Sequence, residues 1–416
     1  MAAIFAEFQP DVVGVSLRNI DDVLIKKRHT FYDGLSGLCA EVKQHSSCPI
    51  IVGGSGFSIF PEDLLRLSGA DFGIHGEGEH SVVSLISALE QKTDPAAIPG
   101  LVFRKEDRII INPLGDSMHM DRLAFPERTV SLVEFYLKKS AMLNIQTQRG
   151  CAFHCCYCTY PSIEGKHYHR RAPEAVAEEF ELIQRAGAKY AFIVDAVFNS
   201  SAEHVAGVCE ALLQKKVNLK WGCFLHPADL TPDLMRMMAR AGLAHIEFGS
   251  DSFCDQVLKA YGKRFTFEDI YESSEMARRE KIDYCHFLIS GGPCETRKTL
   301  QEGFENSQQL QNAAILAVVG MRIYPGTALH ERACREGMMW SAAELLLPRY
   351  YLSPDLTEEE VFGHIREFSR VSPNWIVGDP SPIYQQMMER LRAKGIVRPL
   401  WSYFAMMQRL SGVSTG

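Results

Sequence analysis

Residues 149–158, RGCAFHCCYC, hold four of the chain's 12 cysteines within ten positions. Cys151, Cys155 and Cys158 form a C-x3-C-x2-C motif, and Cys156 lies beside the middle one. At this cysteine frequency, such a triple arises by chance in roughly one chain in a hundred. A turn can bring three thiolates with this spacing to one point, where they can hold a soft metal. The segment therefore predicts a metal site.

The number of thiols narrows the choice of metal. A structural zinc site requires a fourth protein ligand. His154 and Cys156 lie nearby, but the residues between them make simultaneous convergence awkward, and the chain has no second C-x2-C motif. An iron–sulfur cubane normally takes four thiolates, so three would leave one iron open to another molecule. Zinc and a cluster both remain open here, and the count of three favours the cluster.

The other eight cysteines occur singly, and we interpret them as packing residues. In HVAGVCEALLQ, the apolar positions Val205, Val208, Cys209 and Leu212 have the i, i+3, i+4, i+7 spacing of a buried helix stripe. The same structural interpretation applies to the remaining seven, which are Cys39, Cys48, Cys223, Cys254, Cys285, Cys294 and Cys334.

Composition limits the class of protein. The chain has 416 residues, enough for two or three domains, and its net charge of −7 argues against a general nucleic-acid binder. No apolar run approaches the roughly 18 residues that a membrane span needs, and the first residues lack the basic start of a signal peptide. A cytoplasmic protein is expected, and in that compartment thiols stay reduced rather than forming disulfides.

From residue 141 onward, strand-like and helix-like segments alternate. AMLNIQTQ leads into the cysteines, and PEAVAEEFELIQRAG then reads as a helix that begins at Pro173 and ends at Gly187. KYAFIVD, LKWGCFL, AHIEFGS, DYCHFLISGG and ILAVVGMRIYPG follow as strands, each with a helical segment after it. Six such units predict a parallel sheet curved into part of a barrel over residues 141–337. Chemistry in such barrels lies at the carboxyl ends of the strands, where the cysteines fall.

A C-x3-C-x2-C motif after the first strand of a six-unit partial barrel resembles the radical S-adenosylmethionine (SAM) superfamily. The resemblance implies that Cys151, Cys155 and Cys158 hold a 4Fe–4S cluster whose open iron binds SAM. It also implies reductive cleavage of SAM to a 5′-deoxyadenosyl radical, which abstracts hydrogen from a small organic substrate. An external electron donor of the flavodoxin or ferredoxin type is implied as well.

The same resemblance assigns cofactor contacts residue by residue. Tyr157 is similar to the aromatic residue near the adenine, with simple packing as the alternative. Asp195 in FIVDAVFNSS stands where the family pattern is Gly-Gly-Glu, and it is assigned to the methionine ammonium. The alternative role of Asp195 is to cap the next helix, although Ser200 or Ser201 suits that better.

Further contacts follow at later strand ends. Ser250 and Asp251 in EFGSDSF are similar to residues that bind ribose hydroxyls, and Glu247 is the alternative polar partner. His226 in KWGCFLHPADL stands where relatives often carry an arginine for the SAM carboxylate, a role that a neutral imidazole fills poorly.

Two glycine-containing turns complete the assigned contacts. Gly291 and Gly292 in ISGGPCET, and Tyr324 in RIYPGT, resemble turns that let the backbone approach adenine. Ordinary turn chemistry is the alternative for both. Cys156 is taken as structural, because neighbouring side chains point apart.

Residues 1–125 carry a second resemblance. PDVVGVSLRNIDD, CPIIVGGSGFSIFPEDLL and ADFGIHGEGEHSVVSLISALE are similar to the last three strand–helix units of a cobalamin-binding Rossmann-like domain, with glycine turns at 53–54 and 76–79. Two earlier units and a D-x-H-x-x-G loop are absent, so the central strand is expected to become an edge. A later start than in relatives, a depleted cobalamin pocket and a purely structural domain all remain open.

The rest of the chain is expected to be connective or helical. GLVFRKEDRIIINPL predicts a β-hairpin around Glu106-Asp107, and residues 338–416 predict a helical C-terminal cap that includes YQQMMERLRAKG. Tyr350, Tyr351 and Trp375 either line a substrate pocket or pack the core of this cap.

The leading function is hydrogen abstraction by a radical SAM enzyme, with methyl transfer if cobalamin binds. Without cobalamin, dehydration or rearrangement is expected. The alternative from another class is a non-catalytic iron–sulfur carrier, which would not need polar residues at five later strand ends.

Overall fold

The structure, a computed structural model, describes residues 2–115, 119–139, 142–372, 374–376, 390–391, 399 and 401–403. The chain divides into two compact units. The N-terminal unit comprises Met1–Met118, Cys156–Lys166 and Arg322–Tyr351, and the barrel unit comprises His119–Cys155, His167–Met321 and Leu352–Gly416. The domain bounds 1–125, 141–337 and 338–416 stay a prediction.

The N-terminal unit is built on a sheet that, over the described residues, has five strands in the order β1-β2-β3-β4-β5. Its strands β1 to β3 are parallel, and β4 runs antiparallel to both β3 and β5. The elements are α1 (Ala2–Phe8), β1 (Val13–Ser16), α2 (Leu35–His45), β2 (Ile50–Gly53), α3 (Ser55–Ile59), α4 (Pro61–Ser68), β3 (Phe72–Ile74), α5 (Glu79–Gln91), β4 (Leu101–Lys105) and β5 (Arg108–Ile111).

Two predictions for this sheet are confirmed. In the described part of the chain, β1 is an edge strand, as predicted. The hairpin around Glu106-Asp107 is present, with Glu106 in the left-handed region at φ 54°. The hairpin also extends the sheet, because β4 pairs with β3. The core beneath contains Ile51, Ile74, Leu85 and Leu101.

The barrel unit contains a parallel sheet of seven strands among the described residues, in the order β6-β9-β10-β11-β12-β13-β16. From here to the end of the sheet the chain forms α6 (Val130–Lys139), β6 (Leu143–Ile145), β7 (Gln148–Arg149), α7 (Tyr160–Ile163), β8 (His169–Arg170), α8 (Pro173–Arg185), β9 (Tyr190–Ile193), α9 (Ala202–Gln214), β10 (Lys220–Leu225), α10 (Pro232–Arg240), β11 (Leu243–Asp251), α11 (Asp255–Ala260), α12 (Phe267–Arg279), β12 (Asp283–Ser290), α13 (Arg297–Ser307) and β13 (Ala314–Val319). The six predicted strand–helix units are confirmed in chain order.

The last described elements are β14 (Met321–Arg322), α14 (Ala328–Arg335), β15 (Tyr350–Tyr351), α15 (Glu358–Val371) and β16 (Trp375–Ile376), with 3-10 turns at Met120–Arg122 and Ala343–Leu346. Sequence reasoning did not predict that β16 would extend the barrel sheet next to β13. The predicted helix YQQMMERLRAKG lies outside the described residues, apart from Arg390 and Leu391.

The helices α8 and α9 begin and end where the sequence predicts. Pro173 opens α8, the apolar stripe Val176, Phe180 and Ile183 is fully buried, and Gly187 follows the helix with φ 94°. On α9 the Ser201 hydroxyl caps the first turn by accepting a hydrogen bond from the His204 amide. In the described residues, no helix has the length and apolar character that crossing a membrane requires.

Strand alternation defines the interior of the barrel. On β12, His286 contacts Ser274 of helix α12 through Nε2 and Oγ, 3.2 Å apart, so this face of the sheet meets the helices. Phe248 on β11 is the register partner of His286 and lies on the same face. Side chains alternate along a strand, so His245 and Glu247 point to the opposite face, which is the barrel interior.

Candidate metal centre

The cysteine loop, residues 150–158, follows the short strand β7, and a buried carboxylate fixes its entry. Asp195, fully buried at the end of β9, accepts hydrogen bonds from the Thr147 amide (2.7 Å), the Thr147 hydroxyl (2.5 Å) and the Gln148 amide (3.2 Å). Gly150 then turns the chain into the cysteines with φ 91°. The structure therefore gives Asp195 a clamping role on the approach to the loop. Its assignment to the methionine ammonium stays a prediction.

Cys155 is half-buried and lies in a charged environment. Burial raises the pKa of its thiol, and Lys263 opposes that shift. The Lys263 ammonium hydrogen-bonds to the Cys155 sulfur and forms an ion pair with Asp251 at 2.5 Å. Burial lowers the pKa of Lys263, but the negative partners Asp251 and Cys155 outweigh it and raise the pKa overall. Lys263 is thus a charged group beside a predicted cluster ligand, and sequence reasoning missed it.

Gly262 explains how Lys263 reaches this position. It has φ 80°, and a Cβ added to it would lie 2.5 Å from the His154 carbonyl oxygen and 3.6 Å from the Cys155 Cα. Only glycine allows the segment after α11 to pack this closely on the cysteine loop. The signal in the sequence was the short stretch YGKRF, which no motif singled out.

Cys151 and the histidine predicted at the third strand end both lie among aromatic rings. Cys151 is 6% exposed and lies beside Tyr168, and burial raises the pKa of that phenol to about 12. His226 stacks on Phe153 of the cysteine loop, with ring centroids 4.4 Å apart, and meets Phe265 edge-on. Burial lowers the pKa of His226 to about 4, so its imidazole is neutral at pH 7 and holds the loop by stacking.

The predicted polar contacts at strand four divide between two environments. The Ser250 hydroxyl is buried and lies 2.8 Å from His286 Nδ1, in the layer between the sheet and helix α12. Asp251 has φ 63° and is engaged by Lys263. The assignment of both residues to ribose hydroxyls stays a prediction.

Gly291 and Gly292 are explained by packing within the barrel unit. Gly291 has φ 91°, and a Cβ on Gly292 would lie 2.2 Å from the Tyr261 hydroxyl oxygen. That hydroxyl accepts a bond from the Gly292 amide and donates one to the Ile289 carbonyl. Glu295 accepts bonds from the amides of both glycines, and burial raises the pKa of its carboxyl to about 7. The turn alternative therefore accounts for these glycines, and their approach to adenine stays a prediction.

Glu247 belongs to a polar group inside the barrel. Burial raises the pKa of Glu247 to about 7, while a hydrogen bond from Trp401 Nε1 to Oε1 (3.0 Å) opposes that shift. His245 Nε2 lies 3.9 Å from the same oxygen, and His245 Nδ1 lies 2.6 Å from the Tyr190 hydroxyl. Gly222 is an indirect signal of this group in the sequence, because a Cβ there would lie 1.9 Å from the His245 ring.

The remaining predicted contacts belong to the N-terminal unit. Tyr157 is half-buried beside Cys158 in sequence, and the Cys156 carbonyl accepts a bond from the Leu329 amide at 2.8 Å. The ring of Tyr324 lies under the Arg322 guanidinium, 4.7 Å from its centroid. Of the cap residues proposed for a substrate pocket, Tyr351 is fully buried and donates to Glu336. In the barrel unit, buried Trp375 donates to the Ser307 hydroxyl.

A cavity of about 310 Å³ opens in the N-terminal unit at the carboxyl end of β3. The His75 side chain has a buried Nδ1 without a hydrogen-bond partner in the described part of the chain, and burial lowers the pKa of this imidazole. The glycine turn at 53–54 leaves less space than the turn at the end of β3, because a Cβ on Gly54 would lie 2.6 Å from the Leu17 carbonyl oxygen. The cavity is lined by His75, Glu77, His80, Ser81, Pro99, Gly100, Leu114, Gly115, Ile163, Glu164 and Gly165.

The cysteine thiols and the cavity beside His75 suit the cofactors that the motifs imply. All 12 cysteines are thiols outside any disulfide, and soft sulfur donors beside a buried ammonium suit an iron–sulfur cluster. No three His, Cys, Asp or Glu side chains of the described ranges are already arranged as a metal site, so the ligand assignment rests on the loop and its contacts. The cavity and the orphaned His75 nitrogen fit a heterocyclic ligand.

Part of the chain matches a known protein family. Residues 145–305 match the family described as the radical SAM superfamily. A tryptophan 2-C-methyltransferase of Streptomyces laurentii is 22% identical over 385 residues, which cover 77% of this chain and 64% of that protein. The match therefore spans slightly less than two thirds of that relative's length.

Solved structures show the same fold along almost the entire chain. The radical SAM methyltransferase TsrM of Kitasatospora setae, solved with cobalamin and a [4Fe-4S] cluster, has a TM-score of 0.86 at 20% identity, covering 98% of this chain and 89% of that one. The cobalamin-dependent radical SAM enzyme OxsB has a TM-score of 0.73 at 16% identity, covering 98% and 64%. Residues 145–305 of this chain are therefore similar to the radical SAM superfamily, and the chain shares the fold of these two solved enzymes.

Proposed function

We propose that this protein uses SAM and cobalamin to transfer a methyl group to a small organic molecule. The observation that carries the proposal is the three-thiol loop held at the carboxyl end of a parallel barrel strand by Asp195, Gly262 and Lys263. The similarity to methyltransferases in sequence, and to cobalamin-bound enzymes in fold, supports the same chemistry.

In this proposal Cys151, Cys155 and Cys158 hold the cluster. A 4Fe–4S cluster bound by three thiolates supplies an electron for SAM cleavage and leaves one iron open for SAM. The chain contributes orientation and shelter: Asp195 fixes the entry of the loop, and His226 with Phe153 forms an apolar wall beside it. The electron comes from a donor of the flavodoxin or ferredoxin type.

Cobalamin is assigned to the carboxyl edge of the N-terminal sheet. Cobalamin supplies a cobalt centre that carries the methyl group. The cavity beside His75 accepts a heterocyclic base with its sugar, and the unpartnered His75 nitrogen offers that base or sugar one polar contact.

The substrate is assigned to the barrel interior. Phe192 and Phe224 meet edge-on, with centroids 5.1 Å apart, and Phe192 stacks on His245. Glu247 on the same face supplies a carboxyl group. This arrangement suits a molecule with an apolar ring and a hydrogen-bond donor. The TsrM structure contains tryptophan as its substrate, which is a molecule of that class.

One observation favours a second candidate function. In the described residues β1 lies at the edge of its sheet, and Gly54 packs against Leu17. A cofactor crevice bordered by an edge strand would bind cobalamin weakly. Under this alternative the enzyme carries out a dehydration or rearrangement of its substrate without cobalamin.

The test is anaerobic reconstitution with iron and sulfide, in the presence and absence of cobalamin. Wild-type protein given SAM and a strong reductant should form 5′-deoxyadenosine, and a non-catalytic carrier would form none. Cys151→Ala, Cys155→Ala and Cys158→Ala should each abolish cleavage, whereas Cys156→Ala should retain most of the cluster. Equal loss in Cys156→Ala would overturn the ligand assignment. Failure to retain cobalamin after gel filtration would exclude the methyl-transfer proposal and favour the alternative.

A further inference from the structure

Lys263 is a charged group that contacts the candidate metal centre in the barrel unit, and its side chain is buried. Its side chain is 7% exposed and that of Asp251 is 6% exposed, with 2.5 Å between Nζ and Oδ2. Nζ also donates to the Gly249 carbonyl at 3.2 Å, and it lies 5.8 Å from the Phe265 ring centroid. Two of its partners are therefore oxygens of strand β11.

The third partner is the sulfur of Cys155. A cation that hydrogen-bonds to a thiolate withdraws electron density from it. In an iron–sulfur centre, hydrogen bonds to the ligand sulfurs and nearby charge are main determinants of the reduction potential. With water excluded from this pair, the charge of Lys263 acts on Cys155 with little screening.

The backbone fixes this contact. Gly262 packs on the cysteine loop so closely that no side chain fits, and the preceding Tyr261 is bonded to Ile289 and Gly292. The backbone at Lys263 is therefore held next to the cysteine loop, and Asp251 and Gly249 hold its ammonium group.

We infer that Lys263 is a positioning residue that hydrogen-bonds to the Cys155 ligand and raises the reduction potential of the cluster, with Asp251 moderating its charge. The inference rests on the proposed function, because it takes Cys155 as a ligand. Its consequence is that the cluster accepts one electron from the external donor more readily than it would beside a neutral side chain.

The two partners are predicted to shift the potential in opposite directions. Lys263→Met removes the cation and the hydrogen bond, so the midpoint potential should become more negative. Asp251→Asn removes the opposing charge and leaves the ammonium beside Cys155, so the potential should become more positive. Lys263→Arg keeps the charge and should stay near the wild type. Lys259→Met, an exposed lysine on α11, is the matched control and should leave the potential unchanged.

The measurement is a dithionite titration of the anaerobically reconstituted full-length chain at one pH, followed by electron paramagnetic resonance, with iron content determined for each variant. Opposite shifts at unchanged iron content support the inference. Unchanged potentials, or shifts in the same direction for Lys263→Met and Asp251→Asn, overturn it.

If Lys263→Met does not fold, Asp251→Asn and Lys263→Arg decide the matter, and the absence of a positive shift in Asp251→Asn overturns the inference. A wild-type chain that yields no iron–sulfur signal would instead refute the proposed function, and this inference with it. The two failures are thus distinguishable.

Discussion

At the residue scale, two buried carboxyl groups should make stability depend on pH. Burial raises the pKa of Glu247 from 4.5 to about 7, and it raises the pKa of Glu295 to about 7 as well. A carboxyl whose pKa is raised by folding binds more protons in the folded state, so its effect reduces stability as pH rises between about 4.5 and 7. Each pKa unit corresponds to about 1.4 kcal/mol, which gives about 3 kcal/mol for Glu247 across this window.

The prediction is that Glu247→Gln is close to the wild type in melting temperature at pH 5 and several degrees more stable at pH 8. The glutamine oxygen can still accept the bond from Trp401, so the change removes the ionisation and keeps the shape. Thermal melts of the apo protein at both pH values check this. Glu272→Gln, at an exposed position on α12, is the control. A constant difference between Glu247→Gln and wild type at the two pH values would contradict the prediction.

Individual residues also show where sequence reasoning reached its limit. The cysteine loop could be identified because its spacing is local in the chain. The partners of Asp195 and the role of His226 could not be predicted. Thr147 contacts Asp195, and Phe153 contacts His226, only once the barrel has formed. Lys263 carries no motif, and its importance depends on Gly262 allowing contact with a segment more than 100 positions earlier.

At the scale of elements, the contact between the end of α11 and the cysteine loop should control cluster retention. In Gly262→Ala the left-handed backbone costs about 1 kcal/mol, and the new Cβ would lie 2.5 Å from the His154 carbonyl oxygen, so the loop must shift. We expect the variant to fold but to retain much less iron than the wild type after anaerobic reconstitution and gel filtration.

Gly187→Ala is a control that separates the cost of the left-handed backbone in Gly262→Ala from the effect of its close contact with the cysteine loop. Gly187 also has a positive φ, 94°, but its nearest neighbour would be Leu137 Cδ1 at 3.8 Å, an ordinary contact. This control should lose some thermal stability and keep its iron. Equal iron retention in the two variants would show that the close approach of Gly262 does not matter for the cluster.

Elements were the most predictable level of this protein. Short-range sequence patterns predict the start of α8 at Pro173 and the cap of α9 at Ser201. They also predict the order of the six barrel strands. The strand β16 was missed because its two residues, Trp375 and Ile376, become a strand only by pairing with Ile315 and Leu316 of β13. Likewise, the sequence indicated a hairpin at 101–111 but not that β4 would pair with β3.

At the scale of the whole molecule, the N-terminal unit combines segments from three parts of the chain. A division by sequence alone assigned residues 322–351 partly to the barrel and partly to the cap, because their strand and helix signals continue the preceding alternation. The contacts that join them to the first 35 residues include single polar ones, such as the bond from the Tyr32 hydroxyl to the Leu346 carbonyl. Such contacts leave no periodic pattern.

The ion pair between Asp21 and Arg322 is the most buried of these connections, and it yields a prediction for the unit as a whole. The two side chains are 0% and 3% exposed, Nε and Oδ2 are 2.7 Å apart, and the guanidinium also donates to the Leu345 carbonyl. Asp21→Asn would leave a buried cation without its counter-charge, which typically costs about 3–5 kcal/mol. We expect a clear fall in melting temperature and faster proteolytic cleavage within residues 322–351.

Two comparisons make this prediction specific to the pair. Asp33→Asn, at an exposed position nearby, should match the wild type in both measurements. The double variant Asp21→Asn/Arg322→Met should be less destabilised than the sum of its single variants, because the unpaired charge is gone. If Asp21→Asn behaved like Asp33→Asn, the charge pair would contribute nothing to the integrity of the unit.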